Sequence, residues 1–280
     1  MGTIFEYMDY REYLRELFEK RKADHPFYSY RLFSQKAGFR SPNFLKLVVD
    51  GKRNLTKESV YRVSKAFGLN KGESDYLENL VFFNQSKTLD EKNLYLSRIL
   101  RYRVKFDPKL LEPSELEYYS QWYNPVICEL VTAADFADDY RALAAAVIPP
   151  VTPAEAQRSV DLLLKLGLIV RNSDGSYGKI ASSYTTGPQV RSVAVANYHK
   201  AMMRLASESI ERFAAADRDI TSVTLSVSAD TYQLIREKLQ QMRRELLELA
   251  EADPAPQRVV QLNLQLFPMS GSLPSREGEK

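Results

Sequence analysis

The chain has 280 residues, enough for two or three domains that each bury a core. Hydrophobic residues make up 44% and charged residues 27%, the balance of an ordinary globular protein. No apolar run approaches the ~18 residues of a membrane span. The opening MGTIFEYMDYREYLREL lacks the basic-then-apolar order of a secretory signal. A single cysteine, Cys128, rules out an intramolecular disulfide, so a cytoplasmic location is expected. Cys128 sits in the apolar stretch 125–131 and reads as a small core residue. The net charge of +3 is unevenly spread. Residues 31–71 hold ten basic side chains against Asp50 and Glu58, a local charge of +8 that leaves −5 on the rest. A positive patch on an otherwise acidic chain is the electrostatic footprint of phosphate contact; a solvated charged face is the plainer reading.

In chain order, residues 9–22 predict an amphipathic helix, with Tyr10, Tyr13, Leu14, Leu17 and Phe18 at three- and four-residue spacing. His25-Pro26 ends it. Ser29 caps a second helix over 30–37, closed by Gly38 in the left-handed conformation. Ser41-Pro42 predicts the start of a third, with Pro in the first helical position, Leu45 and Val48 inward and Gly51 at its end. Thr56 caps a fourth helix, with Val60, Val63 and Phe67 on one face. Asn70 starts a fifth, with Tyr76, Leu77, Leu80 and Val81 inward.

This succession resembles the helix-turn-helix domains of the lambda repressor/Cro family over about residues 29–81. The resemblance rests on the spacing from Phe33 and Ser34 to Gly38, the Leu45/Val48 pair, and the ending DGKRNL at 50–55. The string SPNFLKLVVDGKRNL is also similar to an uncharacterised family of bacterial transcriptional-regulator-like proteins. Those pair such a domain with a C-terminal region of unknown function. The resemblance implies a DNA-binding regulator that lays its third helix in the major groove.

Residues 86–114, with a short helical stretch and FDPKLLEPSE, read as a helical linker. A second module is expected over 115–188. It comprises an aromatic helix with Trp122, a helix over 136–147, and a third helix opened by the capping box at Thr152 and Glu155. Two strand signals then flank Asp174-Gly175. Three helices and a hairpin make it winged-helix-like. Residues 189–269 predict a long helix followed by a β–α–β unit. Its strands are marked by Val223, Leu225 and Val227 and by Val260, Leu262, Leu264 and Leu266. Its helix carries Ile235, Leu239, Met242, Leu246 and Leu249 as a short heptad stripe for dimerisation. Residues 270–280 form a polar tail expected to be disordered. The expected fold is thus mainly α, with a five-helix N-terminal domain over 1–85, a winged-helix-like middle and a small α+β C-terminal part.

The residues assign themselves to DNA chemistry as follows. Arg40, Asn43 and Lys46 lie at the start of the third helix, where Asn suits adenine and Lys or Arg suits guanine; Phe44, if outward, suits a thymine methyl. Ser29, Tyr30 and Arg31 at the second helix, with Lys52, Arg53 and Asn54 after the third, suit phosphates. The partners expected are double-stranded DNA and a second copy of the chain, with room for an effector or a transcription partner. The alternative is a protein-interaction module that docks a partner through Phe44 and Leu47. Catalysis lacks its usual motifs: there is no CxxC, HExxH, GxSxG, Walker loop or GxGxxG, and the two histidines lie in different regions. No cofactor or metal is expected, and the chain is not read as an enzyme.

Overall fold

A computed structural model of the protein describes residues 2–106, 115–180 and 188–271. It is mainly helical with one two-stranded sheet. The elements are α1 (Tyr10–Asp24), α2 (Tyr30–Lys36), α3 (Phe44–Val49), α4 (Lys57–Phe67), α5 (Lys71–Gln85) and α6 (Leu89–Phe106), then α7 (Glu115–Tyr118), α8 (Tyr123–Ala133), α9 (Tyr140–Ala146) and α10 (Pro153–Lys165). The strands β1 (Ile169–Arg171) and β2 (Tyr177–Lys179) follow, and α11 (Pro188–Arg212) and α12 (Ala229–Glu251) complete the chain. No described helix is long and apolar enough to cross a membrane.

The first core is built from α1 to α6. Tyr10, Leu14, Phe33, Leu45, Val48, Val63 and the α5 quartet Tyr76, Leu77, Leu80 and Val81 are fully or almost fully buried in it. Local signals set the helix ends. Asp9 accepts the Arg11 and Glu12 amides, and capping boxes at Thr56 with Ser59 and at Asn70 with Glu73 satisfy the first amides of α4 and α5. The third helix departs from expectation. It begins at Phe44 with Asn43 in the cap position, and Ser41-Pro42 belong to the preceding turn. Within the expected linker 86–114, α6 packs against the first core. Leu96 and Ile99 are buried in the first core, and Arg103 donates to the carbonyls of Phe5 and Glu6. The rest of the expected linker, 107–114, lies outside the described residues.

The second core gathers Ile127, Cys128, Val131, Leu143, Val147, Val160, Leu163 and Ile169 from α8, α9, α10 and β1. The Thr152 capping box opens α10 where expected. β1 and β2 pair antiparallel, Ile169 opposite Lys179. Asn124 is buried and paired: it accepts from Ser159 Oγ at 2.8 Å and donates to the Glu117 and Tyr118 carbonyls. Burial pushes the Cys128 thiol up to about 11, as suits a core residue. α11 packs on α6 and α7. Val193 enters the first core, Asn197 and Asn93 exchange amide hydrogen bonds at 2.8 and 3.1 Å, and Tyr198 packs on Tyr119 near α7.

The expected β–α–β unit needs correction. α12 forms, but residues 221–228 and 259–267 carry no strand pairing. Two short isolated strands cannot stabilise each other without further partners. Their alternating apolar residues stay exposed, from Leu266 at 37% to Val260 at 81%. The tail expected over 270–280 lies outside the described residues from 272 onward.

Candidate nucleic-acid interface

The α2–turn–α3 unit is held from several directions. Ser34, buried on α2, donates its hydroxyl to the Pro42 carbonyl at 3.1 Å. Gly38 takes φ +73°, and the Phe39 amide returns to the Ser34 carbonyl at 2.8 Å. From α4, Arg62 donates to the Gly38 carbonyl at 3.1 Å while pairing with Glu58 at 2.6 Å. Phe39 stacks on Phe44 with ring centroids 3.7 Å apart and planes 8° from parallel, which joins the turn to the start of α3.

The end of α3 and the basic loop after it are pinned from α1 and α5. Arg11 donates Nε to the Val48 carbonyl at 2.9 Å and Nη2 to the Asn54 side-chain oxygen at 2.8 Å and the Arg53 carbonyl at 3.4 Å. Arg15 donates to the Val49 carbonyl at 3.1 Å. These guanidiniums add charged donors to the last carbonyls of the helix, with charge of the favourable sign for the dipole. Beyond the loop, Gln85 acts like a neighbouring strand towards Leu55: its oxygen accepts the Leu55 amide and its nitrogen donates to the Leu55 carbonyl, both at 2.8 Å.

Arg40 is exposed in the turn. Asn43 is exposed at the cap of α3, and its amide makes no capping hydrogen bond. Lys46 is exposed one helical turn further on, and Leu47 is half-buried beside it. Arg31 and Lys52 are exposed on α2 and in the loop.

Four expected contacts find their side chains already engaged. Phe44 is 6% exposed, packed under Phe39 and covered by the Arg53 guanidinium 4.6 Å above its ring. It is a core residue, so it is available neither to a thymine methyl nor to a docking protein. Tyr30 stacks on Phe18 at 3.9 Å, and burial raises its phenol pKa, which makes it a packing residue. The Ser29 hydroxyl accepts the Leu32 amide in its cap role. The Asn54 oxygen is held by Arg11, which leaves its amide nitrogen.

The N-terminal unit thus keeps an exposed set of cations. Among the described residues no carboxylate pairs with Arg31, Lys36, Arg40, Lys46 or Lys52. Around the second core three cations are paired. Arg171 pairs with Asp138, which also accepts from Tyr177 at 2.8 Å, Lys179 pairs with Glu129 at 2.6 Å and Lys165 with Glu117 at 3.3 Å. The Tyr177 and Arg171 donors hold the Asp138 carboxyl below its ordinary range.

Sequence reasoning missed Arg11, Arg15, Arg62 and Gln85, whose roles depend on which helices pack together. Only the four-residue spacing of Arg11 and Arg15 on α1 hinted at a shared target. The heptad-stripe residues lie on α12, with Ile235 and Leu239 half-buried and Met242, Leu246 and Leu249 exposed. Among the described residues no cluster of His, Cys, Asp or Glu has the makings of a metal site.

No curated protein and no solved structure matches the chain. A family model, described as a domain of unknown function (DUF4423), matches residues 107–269, more than half of the chain, from before α7 to beyond α12. The chain belongs to the DUF4423 family.

Proposed function

We propose that the protein is a sequence-specific DNA-binding regulator whose first six helices contain a helix-turn-helix, with α3 and the turn before it as the reader. The observation that carries this reading is the unpaired, exposed set Arg31, Arg40, Lys46 and Lys52, mounted on backbone that Ser34, Arg11, Arg62 and Gln85 hold in place. Charge left without carboxylate partners on a pre-formed surface suits phosphate, and it releases counterions when DNA binds. Arg40, Asn43 and Lys46 are the base readers in this proposal. Arg31, Lys52 and Arg53 are the backbone clamps.

The second core, read as winged-helix-like, couples or supports and does not touch DNA. Its hairpin cations Arg171 and Lys179 are spent on Asp138 and Glu129. The protein-docking alternative keeps only Leu47, since Phe44 is buried. The proposal treats the protein as a binding protein rather than an enzyme.

Selection of bound sequences from a random duplex pool at two salt concentrations tests the reading. The expected result is an enriched motif whose retention falls steeply with salt. Lys46→Ala should cost about 1–3 kcal/mol and relax preference at one position, whereas Lys52→Ala should weaken all sequences alike. No retention at low salt would refute the proposal.

A further inference from the structure

None of residues 211–271 is buried, although the segment contains the 23-residue helix α12 and two extended stretches with alternating apolar side chains. Val223, Leu225 and Leu262 are each more than half exposed, and the stripe residues Met242, Leu246 and Leu249 are exposed at 38%, 38% and 70%. Together the large apolar side chains here expose on the order of 1,000 Å² per chain, so two copies would close about 2,000 Å², the range of a stable homodimer. A monomer rarely leaves that much apolar surface open.

The charges on α12 favour its own copy as the cover. The stripe extends to both sides of Met242, with Ile235 and Leu249 seven residues away and Leu239 and Leu246 three and four residues away. One flank of the stripe carries Lys238 and Glu245 a heptad apart; the other carries Arg236 and Arg243. In a parallel pair each flank faces the opposite flank of its mate, which sets Lys238 against Arg243 twice. In an antiparallel pair each flank faces itself. Lys238 then meets Glu245 twice, while Arg236 and Arg243 of the other flank meet across the pair at the water-facing rim, where salt screens them.

From this we infer that a second copy of the chain covers this surface, with α12 packed antiparallel on its mate about Met242 and the alternating faces of 221–228 and 259–267 closed within the same interface. The mutual pairing also supplies the edges those extended stretches lack in one chain. The inference deepens the proposed function by giving the reader its two-fold partner, but it rests on residues 211–271 alone.

The test uses the full chain without DNA. Light scattering at micromolar concentration should give twice the chain mass. Cys128 is the only cysteine and is buried, so an added thiol is the reactive one. Met242→Cys should cross-link rapidly to its copy under a mild oxidant. Leu249→Cys should not, since antiparallel packing separates the two thiols by roughly 20 Å. Lys238→Glu should weaken the dimer about tenfold, and adding Glu245→Lys should restore it. Circular dichroism checks that the variants keep their helix. A monomer throughout, or equal cross-linking at 242 and 249, would overturn the inference. Lys46→Ala should dimerise like the wild type, so failure of the DNA reading would leave this result untouched.

Discussion

At the scale of single residues, Arg11 matters more for the candidate interface than any residue on it. Its guanidinium bridges the last turn of α3 and the loop after it, through the Val48 and Arg53 carbonyls and the Asn54 side chain. Hydrogen bonds from a charged donor contribute more than neutral ones, and losing the donor leaves the Val48 carbonyl only its bond from the Gly51 amide. Arg11→Ala should therefore lower stability by about 2 kcal/mol. It should also weaken DNA binding without changing which sequence is preferred, because it contacts no base in the proposal. Urea unfolding and binding to the selected duplex measure the two effects separately. A shift in sequence preference would mean that Arg11 reads bases itself. Lys46 differs in kind: it is exposed on α3, with no carboxylate partner among the described residues, so its removal should leave stability within about 0.5 kcal/mol.

At the scale of elements, α3 is six residues long and cannot stand by propensity. Its geometry is set by its ends. Gly51 takes φ +75°, the Lys52 and Arg53 amides both return to the Leu47 carbonyl, and no atom lies within 4 Å of where a Cβ on Gly51 would sit. The cost of a side chain there is purely that of the left-handed backbone. Gly51→Ala should lose about 1 kcal/mol in urea unfolding, and Gly51→Asn less, since Asn tolerates that region. Equal losses would show that contact, not conformation, decides the position. Ends of this kind were legible in the sequence: Ser29, Gly38, Thr56, Asn70 and the Thr152 box all act where local chemistry put them. Ser41-Pro42 misled because a good cap-and-proline pair also suits a turn, and the Phe39–Phe44 stack decided between them. The same stack took Phe44 inward, which helical spacing alone left open. The strands at 221–228 and 259–267 failed for another reason. Alternation reports a face that wants covering, but not whether the same chain supplies the cover.

At the scale of the whole molecule, α11 packs on α6 of the first core and on α7 beside the second. What joins it to α6 is Val193 and the reciprocal Asn93–Asn197 pair, in which each carboxamide donates to the other. A mutual pair of this kind is satisfied only when both partners are in place, and its loss strands a part-buried amide. It also lies on a direct packed route between the first core and the DUF4423 region. Asn93→Ala and Asn197→Ala should each cost about 1–2 kcal/mol, and the double variant should cost little more than either single one. Urea unfolding followed through Trp122, which packs on the second core, and through an N-terminal probe measures this. If α11 couples the cores, both singles should pull the two transitions apart, because the cores then lose a shared interface while each keeps its own buried side chains. Additive losses with coincident transitions would show instead that the cores are held together elsewhere. In that case a signal sensed between α7 and α12 would have to reach α3 by a route other than α11 against α6.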